Sequence, residues 1–84
     1  MRVVVRLFAV ARERAGRSSV EVDLPERPTV ADLRAALGVV VPGLVPILPS
    51  VRFAVDSLYA DDDTPVPPGA EIAAIPPVSG GLRG

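Results

Sequence analysis

Residues 2–8 alternate, with Val3, Val5 and Leu7 on one face and Arg2, Val4 and Arg6 on the other. A period of two carried by β-branched residues predicts a strand with one buried side. Residues 11–16 hold Arg12, Glu13 and Arg14 before Gly16 and suit a short helical turn or loop. Residues 18–24 alternate again, with Val20, Val22 and Leu24 inward and Glu21 and Asp23 outward. So short a connection between two such strands predicts an antiparallel hairpin. Pro25 and Pro28 then stop the sheet.

Thr29, with Asp32 three residues on, resembles a capping box. Val30, Leu33 and Leu37 follow at helical spacing, and Gly38 stands where a helix C-terminus favours glycine. The pattern predicts an amphipathic helix over 30–37. Residues 39–50 are apolar but interrupted by Pro42, Pro46 and Pro49, which reads as a loop with one helical turn near 43–48.

Val51, Phe53 and Val55 alternate with Arg52, Ala54 and Asp56, giving a third long strand. Asp56-Ser57 forms a tight turn into the short strand Leu58-Tyr59-Ala60, and Asp61-Asp62-Asp63 is a solvated turn rather than a cation loop. Residues 65–69 turn once more, residues 71–75 make the last strand, and Pro76-Pro77 ends it.

The order strand, strand, helix, strand, short strand, strand lets the first and last strands lie side by side in the centre of a mixed sheet. One main helix then packs across a face. This is an α+β, single-domain β-grasp arrangement. It predicts a folded domain over residues 1–78 and a flexible tail over 79–84, containing Gly80-Gly81 and the extension Leu82-Arg83-Gly84.

Composition removes several classes of chemistry. The 84 residues suffice for one small domain. There is neither cysteine nor histidine, so disulfides, thiolate metal sites and triad-type nucleophiles lack their central parts. All nine cationic side chains are arginine, which removes Schiff-base chemistry and any side-chain amine on which a ubiquitin-like chain could be built. A net charge of −1 gives no pull toward nucleic acid or an acidic membrane. The N-terminal apolar run contains arginine and reads as a strand rather than a signal peptide, so a soluble, cytoplasmic protein is expected.

The chemistry then rests on the end of the chain. Prolines 76 and 77 stiffen the exit from the last strand, and Gly80-Gly81 removes both stiffness and bulk. Such a tail can carry a reactive end into a narrow channel. Alone, Gly-Gly is equally a frayed terminus. Its position after a proline-ended strand of a β-grasp pattern sets it apart.

At these residues the sequence resembles the small, sulfur-carrier subunit of molybdopterin synthase, kin to the thiamin-pathway sulfur carriers and to ubiquitin. The resemblance is carried by Leu7-Phe8-Ala9 with Arg12-Glu13 and Gly16, by Thr29-Val30 with Leu33, and by Val51-Arg52-Phe53-Ala54-Val55. Asp63-Thr64-Pro65-Val66 and Gly69 with Glu71-Ile72-Ala73 extend it, and Ile75-Pro76-Pro77-Val78-Ser79-Gly80-Gly81 is its most specific stretch. Proline-proline and a small residue before Gly-Gly favour the molybdopterin branch.

The resemblance implies a non-catalytic carrier that binds no cofactor or metal of its own. An ATP-dependent, ubiquitin-activating-like adenylyltransferase would adenylate the terminal glycine carboxylate, and a sulfur donor would displace the adenylate to leave a thiocarboxylate. The large subunit of the synthase would then receive the tail and pass its sulfur to a cyclic pyranopterin phosphate. Gly81 would carry the sulfur, with Gly80 as its slender neck. Phe8, Tyr59 and Ile75, with Pro76, Pro77 and Val78, would dock the partners.

Phe8 falls on the face opposite Val3, Val5 and Leu7, which turns it to solvent unless the strand's parity slips at its end. The extension past Gly81 implies removal by a peptidase, a reactive Gly84, or the boundary of a fusion. A carrier for thiamin, cysteine or tungsten-cofactor synthesis is the neighbouring alternative, and a β-grasp binding module that is never activated is the more distant one.

Overall fold

The computed structural model describes residues 1–77. Five strands form one mixed sheet: β1 (Arg2–Leu7), β2 (Ser19–Asp23), β3 (Arg52–Val55), β4 (Leu58–Ala60) and β5 (Ile72–Ile75). Their order is β2-β1-β5-β3-β4. The central pair, β1 and β5, is parallel, with Val5 opposite Ile72 and Leu7 opposite Ala74. The other pairings are antiparallel. Two helices complete the fold, α1 (Ala9–Ala15) and α2 (Val30–Val40). The first and last strands are therefore central and the main helix covers one face, as the alternation predicts for a β-grasp domain.

The two-residue periodicity becomes a one-sided core. Val3, Val5 and Leu7 of β1, Val20 and Val22 of β2, Phe53 of β3, and Ile72 and Ala74 of β5 are buried against Val30, Leu33 and Leu37 of α2. Each large side chain so buried contributes about 1.5–3 kcal/mol.

The capping box at the start of α2 is present in both directions. The Thr29 hydroxyl accepts from the Asp32 backbone N–H, and the Asp32 carboxylate accepts from the Thr29 N–H at 2.9 Å. The next two orphan N–H groups of the helix are met from outside it, Val30 by the Thr64 carbonyl and Ala31 by the Asp62 carbonyl. The turn that carries the three aspartates thus closes a helix end through the carbonyls of Asp62 and Thr64. Among the described residues no cluster suited to a metal ion is found.

Arg34, half-buried on α2, ties the layers together. It donates to the carbonyls of Leu48 and Val51 and to the Asp62 carboxylate, and its guanidinium lies 5.0 Å from the centre of the Phe53 ring. At the outer edge of the sheet, Arg2 bonds Asp23 and holds its carboxyl below the usual carboxylate range. That contact is present above the ordinary carboxylate pKa and is lost as pH falls through the lowered value.

The structure decides one expectation, taking the helical of two readings for residues 11–16, and corrects another. Residues 9–15 form a true helix ended by Gly16, whose φ of 73° is the left-handed cap that glycine adopts without strain. The main helix does not stop at Gly38 but continues to Val40. Gly38 is there for a close approach instead. A Cβ at this position would stand 2.9 Å from Leu48 Cδ1 and 3.3 Å from Val45 Cγ2. Two single 3₁₀ turns, Pro42–Leu44 and Leu48–Ser50, occupy the proline-rich segment and lie against the helix at this point.

A Gly38→Leu variant is expected to lose about 1–3 kcal/mol through overpacking. Gly38→Ala is expected to stay near neutral, because the gain of about 1 kcal/mol in helix propensity offsets the push on a flexible leucine end. Thermal melting of the two variants checks this difference.

Candidate functional site

The sheet has a second face, turned away from α2, and the backbone register decides what collects there. Arg6 of β1 pairs with Ala73 of β5, Ala73 pairs with Ala54 of β3, and Ala54 pairs with Tyr59 of β4. One step toward the chain's end, Arg52 pairs with Ile75. Two alanines thus lie side by side at the middle of the sheet, where they make a low floor. Phe8, Ile75 and Tyr59 stand around it, and together with Ser57 these residues line a shallow groove of about 460 Å³. Its walls are largely apolar.

The aromatic walls are open to solvent: Phe8 is 41% exposed and Tyr59 57%. Phe8 therefore follows its strand parity and does not cap the core. Its direction is fixed by a sharp bend. Phe8 is extended (φ −129°, ψ 155°), and Ala9, the first residue of α1, immediately adopts a φ of 51°. A left-handed alanine costs about 1–2 kcal/mol, and this strain is held next to the exposed ring.

The Asp56-Ser57 turn is also left-handed at both positions (φ 50° and 73°), the geometry of a tight two-residue hairpin of the primed type. Asp56 compensates by accepting the Glu71 N–H on its carboxylate at 2.9 Å and donating its own N–H to the Glu71 carbonyl at 2.8 Å. These bonds fix the hairpin, and hence Tyr59, against the start of β5.

Two arginines border the groove. The Arg52 guanidinium lies 4.2 Å from the centre of the Tyr59 ring, and that of Arg6 lies 6.0 Å from the centre of the Phe8 ring. Such contacts at exposed sites contribute about 0.5–1 kcal/mol each and hold the side chains in place. At the end of β5, Pro76 is buried and Pro77 exposed. Pro77, the last described residue, therefore follows β5 at the end of the groove bounded by Ile75.

Phe8, Tyr59 and Ile75 are thus brought into one surface, with Pro76 and Pro77 at its margin. Val78 and the Gly80-Gly81 tail, including the residue expected to carry sulfur, lie outside the described residues. Ala54, Ala73, Ser57, Arg6 and Arg52 were not singled out from sequence as parts of this surface. The parity that exposed Phe8 also places Arg6, Arg52 and Ala54 outward, but joining them requires the β1-β5-β3 adjacency.

With this geometry in hand, comparison with known proteins is specific. The model of the ThiS family matches residues 5–81, from within β1 to the second glycine of the tail. The crystal structure of small archaeal modifier protein 1 from Haloferax volcanii superposes with a TM-score of 0.84 at 28% identity, covering 95% of this chain and 99% of that one. The solution structure of small archaeal modifier protein 1 from Methanosarcina acetivorans gives a TM-score of 0.78 at 25% identity, covering 94% and 95%. A chain from the complex of subunits 1 and 2 of molybdopterin-converting factor of Helicobacter pylori 26695 gives 0.67 at 26% identity, covering 95% and 99%. The match runs across every strand of the sheet and through Gly81, and the chain belongs to the ThiS family of ubiquitin-like β-grasp proteins.

Proposed function

We propose that this protein is a sulfur carrier of molybdopterin synthesis, docked through the groove face and charged at its terminal glycine. The observation that supports this most is one of placement. An exposed apolar groove of Phe8, Tyr59 and Ile75 lies where β5 releases the chain toward Gly80-Gly81. Four residues, 78–81, span at most about 14 Å. A partner seated on the groove therefore has the glycine terminus within that reach of its own catalytic groups.

In this reading the Gly81 carboxylate, once Leu82-Arg83-Gly84 has been removed, attacks the α-phosphate of ATP on a ubiquitin-activating-like adenylyltransferase, and pyrophosphate leaves. A sulfur nucleophile then adds to the acyl-adenylate and expels AMP, leaving a thiocarboxylate. In the large subunit of a molybdopterin synthase, that sulfur passes to a cyclic pyranopterin phosphate. General acid–base groups come from the partners, in keeping with a chain that has no His, Cys or Lys. The likeness to a chain of the Helicobacter pylori complex supports a large-subunit partner.

The likeness to the archaeal modifier proteins favours a second reading, in which the same terminus is joined to a target amine. Intact conjugates in the host, detected by mass spectrometry, would mark it.

The docking test uses the host's large subunit. Phe8→Ala is expected to weaken the complex by roughly 30-fold or more, the loss of about 2 kcal/mol typical of an aromatic anchor. Its melting temperature is expected to fall far less than that of a core variant, because Phe8 is not part of the core and its contact with Arg6 contributes at most about 1 kcal/mol. Unchanged affinity would remove the groove from the docking surface.

A further inference from the structure

We propose that the groove face is built for a protein surface on which an apolar plug is flanked by carboxylates, with Arg6 and Arg52 as the residues that select it. This rests on the docking reading above and specifies the partner's chemistry. Both guanidiniums lie over an aromatic ring, Arg52 at 4.2 Å from the centre of Tyr59 and Arg6 at 6.0 Å from that of Phe8. A guanidinium held over a ring spends none of its N–H donors on it, and its N–H fork matches a carboxylate in bidentate fashion. Among the described residues neither arginine donates a side-chain hydrogen bond or forms an ion pair, whereas Arg2 and Arg34 do both.

The cations are also placed asymmetrically. Arg52 pairs with Ile75 at the end of β5 from which the chain leaves, and Arg6 with Ala73 at its middle. Glu71 and Asp56, joined by backbone and carboxylate hydrogen bonds, stand at the opposite end. Along β5 the face therefore runs from negative at Glu71 and Asp56 to positive at Arg52, with Arg6 lining a smaller pocket beside Glu71. A partner whose carboxylates lie beside the channel that admits the tail docks in the productive direction; the reversed orientation sets like charges against each other. The same acidic end repels a polyanion, which favours a protein over a nucleic acid.

The test measures association of the full chain with its purified large subunit by stopped flow at low and high salt. Arg6→Glu and Arg52→Glu are each expected to slow association by about tenfold or more at low salt, with Arg→Gln variants intermediate and the wild-type rate falling steeply as salt rises. Reversing one facing carboxylate of the partner to lysine is expected to restore the matching Glu variant.

If Phe8→Ala weakens binding while both reversals and salt leave it unchanged, the carboxylate inference is overturned and the docking reading stands. Should Phe8→Ala and the arginine variants all bind like wild type, the groove is not the interface and both fall. Tighter binding of the Glu variants would likewise overturn the inference, by showing a basic partner surface.

Discussion

A chain cut after Ser79 is expected to fold as the full chain does and to take up no sulfur at all. Every buried residue of the described structure lies between Val3 and Pro76, so a cut after Ser79 keeps all of them. The same cut removes Gly81, whose carboxylate is the group to be activated, together with its neck Gly80. Incubation with the activating enzyme, ATP and a sulfur donor, read by intact mass, is expected to give no thiocarboxylate. A chain cut after Gly81 is expected to be charged directly, with no peptidase. Sulfur on the chain ending at Ser79 would move the reactive site elsewhere in the molecule.

The second large effect is on stability. The chain has only two phenylalanines, and the fold uses them in opposite ways. Phe53 is fully buried at the centre of the core and is also the ring over which Arg34 lies. Phe53→Ala is expected to cost about 3–5 kcal/mol, from lost transfer energy and the cavity left behind. Against a total of roughly 5–15 kcal/mol for a domain, that is a large share. For a chain of this size it lowers Tm by at least about 12 °C. Thermal unfolding by circular dichroism checks it. Phe8→Ala is the matched control, weakening binding and lowering Tm far less. A Phe53→Ala protein that melts like the wild type would contradict the packing described for β3 and α2.

The alternation of Val3, Val5 and Leu7, and of Val20 and Val22, made the sheet and its buried side legible from the sequence, because strand parity is a local property. The Thr29–Asp32 box was legible for the same reason. The end of α2 was not. A glycine in a helical pattern signals either a stop or a close approach, and at Gly38 the choice is made by Leu48 and Val45 from another segment. Residues 42–50 form two 3₁₀ turns because they pack back onto the helix, something their prolines alone do not specify.

The site was half legible. Phe8 betrayed its exposure through parity. The floor of Ala54 and Ala73 and the bordering Arg6 and Arg52 become neighbours only when β5 inserts between β1 and β3, a pairing between distant parts of the chain.

The most direct test of the carrier role is the intact mass of this protein recovered from its own host while the cofactor pathway is active. The account predicts a species ending at Gly81 with one carboxylate oxygen replaced by sulfur. A chain that keeps Leu82-Arg83-Gly84 and carries no sulfur under those conditions would contradict it.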